Sequence, residues 1–563
     1  MRHAQGEPKT GLMAPLLERL SSLEVAQEAV LRPIEEVGID LGLEEDELEL
    51  YGRYKAKVPL RAIDRRRDVA PGKLVAVTAI TPTPTGEGKT TSAIGLVDGL
   101  TRSGRRAVVC LREPSVGPVF GIKGGGAGGG RSQLVPMEEL NLHFTGDIHA
   151  VGAANNLLAA VIDAQVQHGN ALGVDPSTVT WRRCLDVNDR ALRSVITGLG
   201  GKANGAPRET GFDITAASEV MAILAVARDL DDLRKRLSRI TVARTFDGEP
   251  VTAGALGAAG SMAVLLKDAL KPNLIQTLEG SPAFVHTGPF ANIAHGNSSL
   301  VADMLALRLA DYVVTESGFG SDMGFEKHVD IVCRIGGLSP SAVVLVATIQ
   351  ALRHHGNGDL RRGAANLARH VEIVQGFGFD PVVAVNLFPE DSHSDAALVR
   401  ALALERGAFA AEVVSGFTGG GEGAAALAEA VAAASERPPS LRYAYELDDP
   451  IELKIEKIAR KVYGAGTVEF APEALRTMER FAAEGLHSLP VCLAKTHLSL
   501  SHDPGLLNAP EGFTLPVREL RAYTGAGWLV ALCGDMMTMP GLSAHPAALD
   551  IDIDIDGRTV GLR

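Results

Sequence analysis

The stretch Ala79-Ile-Thr-Pro-Thr-Pro-Thr-Gly-Glu-Gly-Lys-Thr-Thr-Ser92 joins two dissimilar segments. Before it, Leu74-Val-Ala-Val-Thr-Ala-Ile80 is a short apolar, β-branched run that reads as a buried strand. After it, Ala93, Ile94, Val97 and Leu100 fall on one face of a helix from Lys89 to Arg102. The connection, residues 83–90, matches GxxxxGK[ST] at every fixed position but the first, where Thr83 replaces glycine. A strand, a glycine loop and a helix start in this order predict a P-loop formed by Thr83, Pro84, Thr85, Gly86, Glu87, Gly88, Lys89 and Thr90. Gly86 and Gly88 let backbone N–H groups turn toward a polyphosphate, Lys89 brings a charge to the β- and γ-phosphates, and Thr90 offers a hydroxyl to Mg²⁺. A chance Gly/Thr/Pro-rich turn is the plainer reading, and the flanking strand and helix weigh against it.

Outward from this unit, Ala107-Val-Val-Cys-Leu111 reads as the next strand, running directly into Arg112-Glu-Pro-Ser-Val-Gly-Pro118. Ligands of open α/β sheets sit beyond the carboxyl ends of the strands, so Arg112 and Glu113 are expected at the same edge as the P-loop. Residues 121–130 hold seven glycines, with Lys123 and Arg131 toward the ends of the run, either a phosphate-covering loop or a linker. Residues 138–149 crowd acidic and imidazole groups together without a zinc spacing. From about 147 to 316 the pattern is mixed, with helices over 155–167 and 217–237, and reads as an inserted domain. Strand-then-loop units recur at 311–324 and 381–391, and Ser415-Gly-Phe-Thr-Gly-Gly-Gly-Glu-Gly423 sets Phe417 among residues that cannot bury it locally. Phe319, Phe388 and Phe417 are core residues or rings free to stack on a flat heterocycle. Residues 424–436 form a helix, 527–533 a strand, and 549–562 a hairpin around Asp556-Gly557. The EF-hand-like run from Asp552 has Arg563 where a bidentate glutamate is required, which argues against calcium.

With 563 residues, two to four domains are expected. The formal charge of −13 argues against a nucleic-acid surface. Five scattered cysteines suggest neither zinc nor disulfides, so a reducing, cytoplasmic setting fits. No apolar leader follows Met1 and no 18-residue uncharged apolar run appears, so neither export nor membrane insertion is expected. The basic triplet Arg65–Arg67 reads as a solvated turn closing a helical region over 11–70.

Several stretches together resemble the formate–tetrahydrofolate ligase family: ELYGRYKAKV (49–58), TPTPTGEGKTT (81–91), REPSVGPVFGIKGGGAGGG (112–130), HTGPFANIAHGNSS (286–299), TESGFGSDMGFEK (315–327), VNLFP (385–389), LAKTHLSLSHDP (493–504) and GDMMTMPGL (534–542). The resemblance covers nearly the whole chain. It implies that ATP phosphorylates formate and that the resulting formyl phosphate is captured by the 10-nitrogen of tetrahydrofolate. It also implies catalytic roles for Lys89 and Arg112, with Arg112 binding formyl phosphate. Mg²⁺ would lie at Thr90, a monovalent cation (K⁺ or NH₄⁺) at Glu113 and Asp147, and the folate pterin against Phe319, Phe388 and Phe417. The implied architecture is α/β: a P-loop NTPase-like parallel-sheet nucleotide domain (1–146 and 317–380), an inserted α/β domain (147–316) and a C-terminal α/β domain (381–563) contributing to the folate site, assembled as a homotetramer. Phe417 stands where the family often has tryptophan, Gly419 where it has lysine, Asn297 where cysteine is common and His502 where aspartate is common. Two rivals remain: another P-loop synthetase that activates a carboxylate for a different acceptor, and an ATP-gated switch without catalysis.

Overall fold

The structure, a computed structural model, describes residues 20–83, 86–121, 125–438, 440–534 and 536–562. Its centre is a sheet of twelve strands. Eight of these form its body: β1 (Lys73–Ala79), β2 (Ala107–Leu111), β3 (Asn273–Thr277), β4 (Pro282–Val285), β5 (Tyr312–Glu316), β6 (Ala342–Ala347), β7 (Val382–Asn386) and β8 (Ala410–Val414). Their spatial order is β3-β4-β2-β5-β1-β6-β7-β8, and every pair from β4 to β8 is parallel, while β3 returns antiparallel to β4. Strands β2, β5, β6 and β7 are buried along their whole length, as unbroken apolar runs are when helices cover both faces.

The period of two divides these strands between two cores. Val75 and Val77 of β1 join Ile94 and Val97 of the helix α1 (Lys89–Arg102). Leu74, Val108 and Val313 face the other way, onto the helix Leu300–Leu309. Each such side chain contributes about 1.5–3 kcal/mol by leaving water. Helix α1 also buries Asp98, whose Oδ1 accepts from the Thr277 hydroxyl at 2.7 Å. Burial raises this carboxyl from 3.8 to about 7, against the lowering effect of Ser281 and Thr277. A raised folded-state value contributes stability below the unfolded value near 4, which is lost as pH rises through 7. Asp98→Asn, neutral at every pH, is therefore expected to gain on the parent between pH 5 and pH 9, by on the order of 3 kcal/mol. Melting temperatures of both proteins across that range check this, and a constant difference between them would refute it.

The main sheet draws β7 and β8 from the stretch 381–563, and β3, β4 and β5 from the stretch 147–316. The helices of 147–266 share one core with Cys492, Trp528 and Val530 of a three-stranded sheet near the C-terminus. Several expectations need correcting. The helix expected over 217–237 is two, Glu219–Val226 and Leu230–Arg239, the second capped by Asp229, whose carboxylate accepts from Asp232 N. The region before β1 contains two short strands, Glu49–Leu50 and Ala56–Lys57, besides its helices. The triplet Arg65–Arg67 is not simply solvated: Arg66 Nη2 lies 2.7 Å from Oε2 of Glu47, a fully buried carboxylate. The remaining strand predictions hold to within a residue or two, and the tail pairs Asp552–Ile553 with Thr559–Val560 as a hairpin. All five cysteines are buried free thiols. Among the described residues no helix is long and apolar enough to cross a membrane.

Candidate active site

Because β4, β2, β5, β1, β6, β7 and β8 run parallel, their carboxyl ends share one edge. That edge receives the His286–Ser299 loop after β4, Arg112 after β2, Glu316 at the end of β5, the P-loop after β1, Thr348 after β6, Asn386 at the end of β7 and Phe417 just beyond β8. Stretches more than 300 residues apart in the chain thus converge.

The P-loop is braced from outside. His355 Nε2 lies 3.0 Å from Thr81 O and His370 Nε2 2.9 Å from Thr81 Oγ1, fixing the point where the loop leaves the sheet. Glu87 is buried and folds inward: its Oε1 accepts from Thr83 N at 2.7 Å and Thr83 Oγ1 at 3.0 Å, and its Oε2 accepts from the Thr348 hydroxyl. Gly88 caps α1 in the left-handed region at φ 65°, and Gly86 has φ 83°, conformations that favour glycine. Pro84 and Thr85 lie outside the described residues.

Lys89 and Thr90 open α1 half-buried. Burial lowers the Lys89 pKa, the nearby charges of Glu316 and Glu87 oppose that, and Arg112 adds to it. Lys89, Glu316, Glu87 and Arg112 therefore form one electrostatic group. Glu316 is its hub: Oε2 accepts from the Thr90 hydroxyl at 2.5 Å, and Oε1 stands 3.9 Å from Arg112 Nη2. Arg112 Nη1 donates to Pro289 O at 3.2 Å, and a Cβ on Gly318 would sit 3.0 Å from Arg112 Nη2. Sequence reasoning missed Glu316, although its position at the end of the strand Tyr312–Glu316 was the available signal. It missed the carbonyl of Pro289 for want of any side-chain signal.

Glu113 and Asp147 lie near each other and are differently served. Asp147 is held by Lys57, whose Nζ donates to both carboxylate oxygens at 2.8 and 2.9 Å and to Lys271 O at 3.2 Å, while Asn273 Nδ2 donates to Oδ2. Among the described residues Glu113 forms no ion pair, and the charge of Lys57 offsets its upward shift only in part. Burial first, and then the charge of Asp147, push its pKa well above the usual carboxylate range, and among the described residues its Oε2 has no hydrogen-bond partner. The nearby Thr287 Oγ1 is likewise unpartnered, and Thr287 O accepts from Glu113 N.

The three phenylalanines occupy three strand ends. Phe319 adopts φ 60°, an uncommon value for a bulky residue, and stacks on His497 with ring centroids 4.2 Å apart. It follows Gly318, the residue against Arg112. Phe388 is half-buried in the turn after β7, its N–H donating to Asp391 Oδ2 at 2.9 Å. Phe417 is 45% exposed and its carbonyl accepts from Arg131 N at 2.8 Å. The glycine run beneath it is no linker: Gly128–Gly129 pairs with Ser132–Val135 in a hairpin that continues into β3, and a Cβ on Gly129 would meet the Phe417 ring at 3.1 Å. Ile122–Gly124 fall outside the described residues. Of the departures noted in the sequence, Asn297 is built into the structure, accepting from Ser317 Oγ at 2.6 Å, and among the described residues the buried Nδ1 of His502 has no hydrogen-bond partner.

The family model for formate–tetrahydrofolate ligase matches residues 20–563. The chain belongs to this family. It is 57% identical to the formate–tetrahydrofolate ligase of Roseiflexus sp. (strain RS-1), with 96% of this chain and 100% of that protein covered. It is 54% identical to the enzyme of the same name from Desulforamulus reducens (96% and 99% covered) and 53% identical to that of Cutibacterium acnes (96% and 100%). As a member of the formate–tetrahydrofolate ligase family, the chain is an ATP-dependent ligase.

Proposed function

We propose that the chain joins formate to tetrahydrofolate through formyl phosphate on a P-loop NTPase-like sheet. A formate oxygen attacks the γ-phosphorus of ATP, the bond to the ADP oxygen breaks, and the 10-nitrogen of tetrahydrofolate then attacks the formyl carbon. Phosphate leaves with the C–O electron pair, and the nitrogen gives up its proton. One observation carries this reading. The lysine and threonine that would meet a γ-phosphate and the guanidinium that would grip a carboxylate converge on a single acid, Glu316. A guanidinium fork matches a carboxylate or acyl phosphate in two bonds, which an ammonium cannot do. Thr90 and Glu316 are the oxygens that fit Mg²⁺, a hard ion that would neutralise charge on the transferring phosphoryl group. Lys89 adds a fixed charge to that group.

For a monovalent cation, Glu113 Oε2 and Thr287 Oγ1 are the unpartnered oxygens that fit, whereas Asp147 is already engaged by Lys57. Phe319 beside Gly318, and Phe417 exposed at the same sheet edge, are the rings best disposed to stack on a pterin, with Phe388 third. We carry a homotetramer over from the resemblance alone, and a cytoplasmic location from the five scattered cysteines. The test is ATP turnover with formate and tetrahydrofolate, supplied singly and together. Synthesis of 10-formyltetrahydrofolate that needs both is expected. A synthetase with another acceptor would be indifferent to the folate, and a switch protein would turn over ATP without formate.

A further inference from the structure

Nothing above accounts for Asn386, the last residue of β7. It is 4% exposed, and its Nδ2 lies against the P-loop, donating to Glu87 O at 3.4 Å. The approach is so close that a Cβ on Gly88 would fall 2.4 Å from that nitrogen. The other face of the amide is unused: Oδ1 is buried and, among the described residues, has no hydrogen-bond partner. His355 and His370, which brace the same loop, have both ring nitrogens engaged. A buried amide oxygen left unpaired costs about 1–3 kcal/mol, so this arrangement calls for a ligand that supplies the missing donor.

Strand order says which end of the nucleotide comes here. Arg112 and Glu316 end β2 and β5, on one side of the P-loop strand β1, and the transferring phosphate must face them. The nucleoside then leaves toward β6 and β7, on the opposite side, where Asn386 stands. An amide that presents a carbonyl oxygen and a spare N–H side by side matches the N6 amino group and N7 of adenine, a two-bond pairing that guanine and hypoxanthine, with an oxygen at position 6, cannot make.

We propose that Asn386 is the base-reading residue of the nucleotide site: Oδ1 accepts from the adenine N6 amino group, one Nδ2 hydrogen donates to N7, and the other holds Glu87 O. The side chain thereby ties base identity to the shape of the phosphate loop. This rests on the ATP reading given above.

The test is calorimetric binding of ADP, inosine diphosphate, purine riboside diphosphate and inorganic tripolyphosphate to the full chain. The parent protein is expected to prefer ADP over inosine diphosphate by about 10–100-fold, and over purine riboside diphosphate by about tenfold. In Asn386→Ala, and in the milder Asn386→Ser, both ratios should fall to within about threefold, whatever happens to absolute affinity. Using ratios removes any general loosening of the loop, which would weaken tripolyphosphate and ADP alike. A parent protein that binds the three nucleotides equally, or a variant that keeps the parental ratios, overturns the proposal. Failure of both ADP and tripolyphosphate to bind the parent protein would instead remove the ATP reading, and this proposal with it.

Discussion

Arg112→Ala is expected to lower formyl transfer by about 10³-fold while leaving ADP affinity within about threefold. The guanidinium is held by one bond to Pro289 O and by a longer approach to Glu316, which together use only part of its five N–H donors. The remainder can meet the formate carboxylate and then the acyl phosphate, where charge builds up as the phosphoryl group moves. Positioned donors of this kind matter most in a water-poor site, because they need no reorganisation when the charge develops. Lys89, not Arg112, meets the polyphosphate in this account, so nucleotide affinity should survive. Arg112→Lys should recover no more than about tenfold, since an ammonium carries the charge without the fork. Steady-state synthesis and ADP titration on the same preparations decide the matter. Near-normal synthesis by Arg112→Ala would remove this residue from the chemistry, and a matching collapse of ADP binding would make it a structural support of the P-loop.

Lys57→Met should be the most damaging change to stability, by about 3–5 kcal/mol. The ammonium is 1% exposed and the carboxylate of Asp147 3% exposed, and all three Nζ donors are used, by Asp147 Oδ1, Asp147 Oδ2 and Lys271 O. Removing the lysine leaves a buried carboxylate that, among the described residues, only Asn273 serves, next to a Glu113 that is already short of partners. The double variant Lys57→Met/Asp147→Leu should recover at least half of the loss, because removing both charges spares the uncompensated one. Denaturant unfolding of the parent, both single variants and the double variant supplies the full cycle. Recovery of Lys57→Met by potassium but not by tetramethylammonium would further support a small cation near Glu113. An unfolding midpoint unmoved by Lys57→Met would show that the pair contributes nothing.

The sequence by itself determined what short-range chemistry can encode. The apolar, β-branched runs of 74–80 and 107–111, the glycines at 86 and 88 followed by Lys89-Thr90, and the Asp-Gly turn of the tail each specify a local conformation. Each of these is legible because the signal and its consequence lie within a few residues of one another. The strand-end rule was also enough to send Arg112 and Glu113 to the edge that bears the P-loop. Tertiary structure alone decided which side chains meet there. Glu316 receives the hydroxyl of Thr90 from 226 residues away, Lys57 neutralises Asp147 across 90, and Asn386 reaches Glu87 across 299. The same holds for the extension of the main sheet through β8 and for the packing of the Gly128–Val135 hairpin against Phe417. The physical reason is common to all of these. Parallel strands have no turn between them to fix their neighbours, so their order is set by how helices and buried faces pack over the whole sheet, and no short stretch of sequence contains that information.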